Sequence, residues 1–156
     1  MRSIIIVDSY HHNNTLKIAN AFAKVLNCKT ITPEQTEAEN LLQYELIGFG
    51  SGIDSGKHYK HLLDLVDRLT EVQDKPAFIF STSAVLSYTK VEKDHSLLRE
   101  KLRAKGYVIA GEFSCKGYNT NSFLKYVGGM NKGKPDYNDI RDAEKFATAI
   151  ATERKS

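Results

Sequence analysis

Hydrophobic and polar positions alternate in blocks along this chain, and the blocks change period in a regular order. Ser3–Val7 is a continuous apolar run, the pattern of a strand covered on both faces. Leu16, Ala19, Phe22, Ala23 and Leu26 then recur at helical spacing. Lys29–Ile31 reads as a short second strand. In "TPEQ", Thr32 suits an N-cap, Pro33 the first helical position and Gln35 the return arm of a capping box, so a short helix is expected from Pro33. Glu45–Gly50 is a third strand, and Tyr59, Leu62, Leu63, Val66 and Leu69 mark an amphipathic helix. Pro76–Ser81 is a fourth strand. Leu97, Leu98 and Leu102 mark the next helix, which Gly106 ends as a left-handed cap. Tyr107–Ser114 is a fifth strand. After a turn around Pro135, Ile140, Ala143, Phe146, Ala147 and Ile150 form the last helix.

Five strands alternating with five helices predict a three-layer α/β/α domain with a five-stranded parallel sheet over residues 1–156. Ligands of such sheets bind beyond the carboxyl ends of the strands. The chemistry is therefore sought in four loops, residues 8–15, 51–58, 81–90 and 114–121.

Those loops hold hydroxyls, amides, glycines and tyrosines. "DSYHHNNT" opens a helix whose first N–H groups lack partners, so it suits an anion, with plain capping by Asn13 or Asn14 as the alternative. It is not a GxxxxGK[ST] loop. His11 and His12 lack companion ligands at metal spacing and read as exposed loop residues or phosphate contacts. In "GFGSGI", Ile53 stands where a dinucleotide fingerprint needs its third glycine. Carboxylates in the four loops are confined to Asp8 and Asp54, which argues against hydrolytic and divalent-metal chemistry. Such a set matches a phosphate tail joined to a flat aromatic ring.

Composition narrows the field further. Hydrophobic residues are 41% and charged residues 26% of 156, ordinary for a soluble globular protein. No apolar run approaches a membrane span, and residues 1–7 are too short for a signal peptide, so a cytoplasmic protein is expected. Cys28 and Cys115 belong to no paired motif and read as reduced thiols. The net charge of +3 is mild, with no basic stripe for nucleic acid; it favours acidic partners or anionic ligands.

With these loops in place the chain resembles the flavodoxin family over nearly its whole length. Ser9 through Asn14–Thr15 is similar to the family's phosphate loop. "IGFGSGIDSGKHYKHLLDLVDRL" resembles the strand, first flavin loop and helix of its short members, and "AFIFSTSA" the entry to the second flavin loop. "KLRAKGYVIAGEFSCKGY" and "GGMNKGKPDYNDIRDAEKFA" resemble the closing strand and last helix. The resemblance implies strand order 2-1-3-4-5, FMN at the switch point and electron transfer by the flavin. It implies that Ser9, His11, Asn13, Asn14 and Thr15 hold the phosphate. Ser51, Gly52 and Ile53 would flank the ring near N5, and Thr82, Ser83 and Ala84 would line the second loop. Cys115, Gly117 and Tyr118 would lie at the rim.

The chain departs from the pattern in three ways. The phosphate loop is a residue longer and lacks its usual glycine, Ala84 stands where glycine is common, and there is no tryptophan. Ring stacking would then come from Tyr10, Tyr88, Tyr118 or an aliphatic residue. Electron carriers of this type are usually acidic, so the positive charge implies an acidic redox partner protein or a small oxidoreductase. Three alternatives stay open at this point. They are an NAD(P)H:quinone-type enzyme on the same fold, a fold that has lost its cofactor, and a receiver module using Asp8, Thr82 and Lys116.

Overall fold

The computed structural model describes residues 1–10, 12–117 and 131–155. Its strands are β1 (Ser3–Asp8), β2 (Thr30–Ile31), β3 (Leu46–Asp54), β4 (Lys57–His58), β5 (Lys75–Ser83) and β6 (Tyr107–Lys116). Its α-helices are α1 (Asn14–Leu26), α2 (Lys60–Arg68), α3 (Tyr88–Ala104) and α4 (Tyr137–Lys155). The parallel strands run in the order β2-β1-β3-β5-β6, which is the expected 2-1-3-4-5 once the short β4 is set aside.

Strand alternation builds two cores. Ile4 and Ile6 of β1 face one side with Phe49, Ile79, Leu62, Val66, Leu98 and Leu102, beneath α2 and α3. Ile5 and Val7 face the other side with Phe78, Phe80, Ile18 and Phe22, beneath α1 and α4. Both faces of the sheet are thus covered, which is why its strands read as apolar runs. Phe22 stands edge-on to Phe78, Phe80 and Phe113, ring centroids 5.0–5.6 Å apart, in the arrangement aromatic quadrupoles favour.

The structure corrects the sequence reading at three places. β3 runs on to Asp54 and folds back antiparallel as β4, pairing Ile53 with His58 and Asp54 with Lys57. Periodicity could not show a two-residue strand. The helix expected from Pro33 is a single 3-10 turn, Pro33–Gln35, although its Thr32–Gln35 capping box forms as read. A second 3-10 segment, Ala38–Gln43, replaces further helix. Gly106 ends α3 as expected. Its φ is +96° and its N–H donates to the Arg103 carbonyl at 3.0 Å. The Lys134–Pro135 bond in the last turn is cis.

Candidate functional site

The strand ends line up across the sheet. Asp8 is in register with Ser51, Gly52 with Thr82, and Thr82 with Cys115. The predicted loops after β1, β3 and β5 and the end of β6 therefore meet at one edge.

The start of α1 is the centre of this edge. Asn13 occupies the N-cap with φ +53° and makes no side-chain cap hydrogen bond, and no acidic residue stands in the first turn. Plain capping by Asn13 is thereby excluded. Ser9 instead accepts from the Leu16 N–H at 3.3 Å through its hydroxyl oxygen. The helix start also carries the positive end of the helix dipole. His12, at φ +58°, shares the left-handed conformation with Asn13. Together they make the bend for which a glycine is usual.

Around this helix start the structure gathers several predicted residues. The Thr15 and Thr82 hydroxyls lie 2.8 Å apart, both buried, and join the first loop to the end of β5. Gly117 packs on the Asn14 side chain so closely that a Cβ there would come within 2.7 Å of Nδ2. Its own N–H donates to the Ser83 carbonyl at 3.0 Å. The Ser83 hydroxyl donates to the Val85 carbonyl at 2.8 Å and folds the loop that carries Ala84. Beyond it Val85, Leu86 and Tyr88 are exposed, Val85 at 51% and Tyr88 at 83%, although all are large apolar or aromatic residues.

Ser51, expected beside the ring, is fully buried. It accepts from the Tyr59 N–H at 3.0 Å and donates to the Gly52 carbonyl at 2.6 Å, which pins the β3–β4 hairpin to the start of α2. Ile53 is half-buried on the hairpin. Cys115 lies in the core beside α1 and α4, not at the rim, because it shares a strand face with Phe113. Burial pushes its thiol up to about 12, so it is not a reactive cysteine. His11 and Tyr118 lie outside the described residues.

Some contributors escaped the sequence reading. Asn131 donates through Nδ2 to the Ala84 carbonyl at 2.7 Å and tethers the second loop from a distant part of the chain. Tyr59, taken there as part of a helix face, packs against Gly52 and lies 5.2 Å from the Tyr10 ring. The polar-tipped aromatic at a helix start was the available signal. Around Tyr10, Nδ1 of His61 lies 3.0 Å from its hydroxyl, 3.2 Å from Glu34 and 3.8 Å from Asp8. Burial, then the Glu34 charge, raise the Asp8 carboxyl against the pull of His61. A cavity of about 720 Å³ opens between Tyr10, Ile53, Tyr59 and Leu63 on the α2 side of the hairpin. Its lining does not extend to the start of α1.

With this geometry in hand, comparison with known proteins is decisive for the family. The model of the flavodoxin domain matches residues 4–138. The chain belongs to the flavodoxin family. A relative in this family, an uncharacterised protein of Methanocaldococcus jannaschii, is 42% identical over 150 residues, covering 96% of this chain and 98% of that one. Among solved structures, oxidised flavodoxin 2 of Bacillus cereus superposes with a TM-score of 0.73 at 18% identity, covering 98% of this chain and 99% of that one. A flavodoxin from the domain Archaea superposes at 0.68 with 17% identity and full coverage of both chains. At such identities these two structures speak to the fold. The receiver alternative loses its footing here: the parallel pairing of β3 ends at Gly50–Ser51–Gly52, and the first carboxylate beyond it, Asp54, lies exposed on the antiparallel hairpin.

Proposed function

We propose that this flavodoxin-family chain binds FMN and carries electrons between protein partners. The observation that carries this reading is the start of α1. Its N-cap side chain makes no cap bond, and two buried hydroxyls, an asparagine and Gly117 surround it. The donors are N–H, hydroxyl and amide groups without a lysine, which suits a phosphomonoester that stays bound. Exposed Val85 and Leu86 on one loop, Tyr88 at the start of α3 and Tyr10 on another loop offer apolar faces at the same edge for a flat ring.

Bound FMN would supply one- and two-electron chemistry. In this reading the residues of the chain bind and orient it. Asn13, Asn14, Thr15 and Thr82 hold the phosphate, and Ser9 keeps the helix start in shape through Leu16. The hairpin, pinned by Ser51, presents its backbone to one edge of the ring. The loop folded by Ser83 and tethered by Asn131 excludes water from the other. The redox partner in this proposal is acidic: Lys57, Lys116 and Lys132 are exposed on segments at the strand-end side, and the net charge is +3.

The test is a titration of the chain, freed of any bound flavin, with FMN and, separately, with riboflavin. FMN is expected to bind and riboflavin to bind at least about 100-fold more weakly, since the phosphate contacts are charge-assisted. A chain that ignores saturating FMN overturns the reading. Turnover of NAD(P)H with a quinone by the FMN-loaded chain would instead establish an independent enzyme.

A further inference from the structure

The last polar row of the sheet continues inward on the α2–α3 side, where an apolar core is the norm. Register places Ser51, Ser81 and Ser114 side by side across β3, β5 and β6. Ser81 Oγ lies 2.7 Å from His95 Nε2 and 3.0 Å from Ser114 Oγ. His95 Nδ1 lies 2.8 Å from Glu112, which Arg99 holds through two bonds of 2.8 Å. An ionised Glu112 only accepts, so His95 donates from Nδ1. Serine, imidazole and carboxylate in this order form the skeleton of a nucleophile set. Ser81 is 1% exposed, however, so no substrate reaches it, and the chain of bonds is architectural.

His58 lies against this chain. It is the last residue of the hairpin, 1% exposed, with its ring centroid 5.0 Å from that of His95. Its Nε2 donates to the Phe80 carbonyl at 3.0 Å, which leaves Nδ1 a buried lone pair that accepts no hydrogen bond. The groups around it hold it neutral. From α3 come His95, the Asp94 carbonyl and an Asp94 carboxylate already paired with Lys90. From β6 comes Glu112, already engaged by His95 and Arg99. From β5 come Phe80 and Ser81, and on the hairpin itself Lys57 and Asp54 are exposed. Every carboxylate within reach is committed elsewhere, so a proton on His58 would be a buried charge without a counterion. Burial and then His95 push the imidazole down to about 3, against the opposing pull of the Phe80 and Asp94 carbonyls and of Glu112.

We propose that neutral His58, packed on the His95 ring, is the anchor that seats the Ile53–His58 hairpin on α3, and that proton uptake by His58 releases the hairpin and opens the strand-end cleft proposed for FMN. The consequence for the cleft rests on the FMN reading; the anchor does not. Once the hairpin lifts, His58 is hydrated and takes a proton at the ordinary imidazole value near 6.5. Opening is therefore favoured in proportion to one plus the ratio of charged to neutral imidazole, which rises about 30-fold between about pH 7.5 and about pH 5.

Hydrogen exchange on the full chain without cofactor tests the anchor. Corrected for intrinsic rates, protection of the residue 53–58 amides is expected to fall about 30-fold across that range relative to β1. In His58→Gln, which keeps a side-chain N–H for Phe80 but does not titrate, it is expected to change less than about threefold. Equal loss in both proteins overturns the anchor, as does unchanged protection in the wild type. NMR titration of the His58 ring in the wild type decides the matter without a variant: protonation near 6.5 with the hairpin still protected overturns it. FMN affinity is expected to weaken over the same window in the wild type only. Affinity that is independent of pH overturns the link to the cleft. A chain that binds no FMN at any pH overturns the cofactor reading, and the exchange result still decides the anchor.

Discussion

Two residues in the first loop stand in for a missing glycine. His12 and Asn13 both sit at positive φ, a conformation that costs an ordinary L-residue about 1–2 kcal/mol and asparagine less. Asn13→Ala is expected to destabilise the chain by about 1 kcal/mol, and Asn13→Gly to stay within about 0.5 kcal/mol, by urea midpoints at constant slope. Thr15 works through its hydroxyl. Thr15→Val keeps the volume and removes the bond to Thr82, so FMN affinity is expected to fall about tenfold by fluorescence titration, with the Thr82 oxygen left buried and unpaired. Gly106 shows the opposite case, a glycine with no substitute. Its φ is +96° and a Cβ would strike the Val72 carbonyl, so Gly106→Ala is expected to cost at least about 2 kcal/mol in the same urea assay.

At the scale of elements, α3 is the brace of the site. It carries His95 and Arg99 onto Glu112 of β6 and seats the β3–β4 hairpin beside Asp94. Burial alone would raise the Glu112 carboxyl, but the bonds from His95 and Arg99 overcome it and hold the group down to about 2. Its unfolded value is near 4.3. A depressed carboxylate adds stability that is present above about pH 4.3 and is lost as pH falls toward 2. Glu112→Gln is therefore expected to lower stability by about 2 kcal/mol at neutral pH and to flatten the acid limb of the stability profile between about pH 4 and 2. A limb as steep as the wild type's would assign the acid response to other groups. His58 acts at higher pH in the same direction. Its folded value lies below its unfolded one, so its contribution is present above about 6.5 and is lost below.

At the scale of the molecule, two apolar layers grip one sheet, and the polar residues concentrate at its carboxyl edge. The mild positive charge makes a prediction about partners. Electron transfer to an acidic redox protein is expected to slow as ionic strength rises past about 0.1 M, where the Debye length is about 10 Å. Lys57→Glu with Lys116→Glu is expected to reduce the second-order rate severalfold at low salt by stopped flow, with FMN affinity as the control. An unchanged salt profile would remove the acidic partner.

The sequence by itself determined the strands, the helices and their layers, while the strand order came only with the family resemblance. Apolar runs, helical spacing and Gly106 are local signals, set by side-chain period and backbone freedom, and each can be read from neighbours along the chain. Thr15, Asn14 and Gly117 were legible as loop residues for the same reason. Only the tertiary structure decided what each side chain does there. It turned Ser51 inward, sank Cys115 beneath α4, and brought Asn131 to Ala84 across 47 positions. It also assembled Ser81, His95 and Glu112, which no spacing relates, and laid His58 against them. Burial and hydrogen bonding depend on which strands become neighbours. Register across a parallel sheet joins residues far apart in the chain, so this part of the site had no local signature to read.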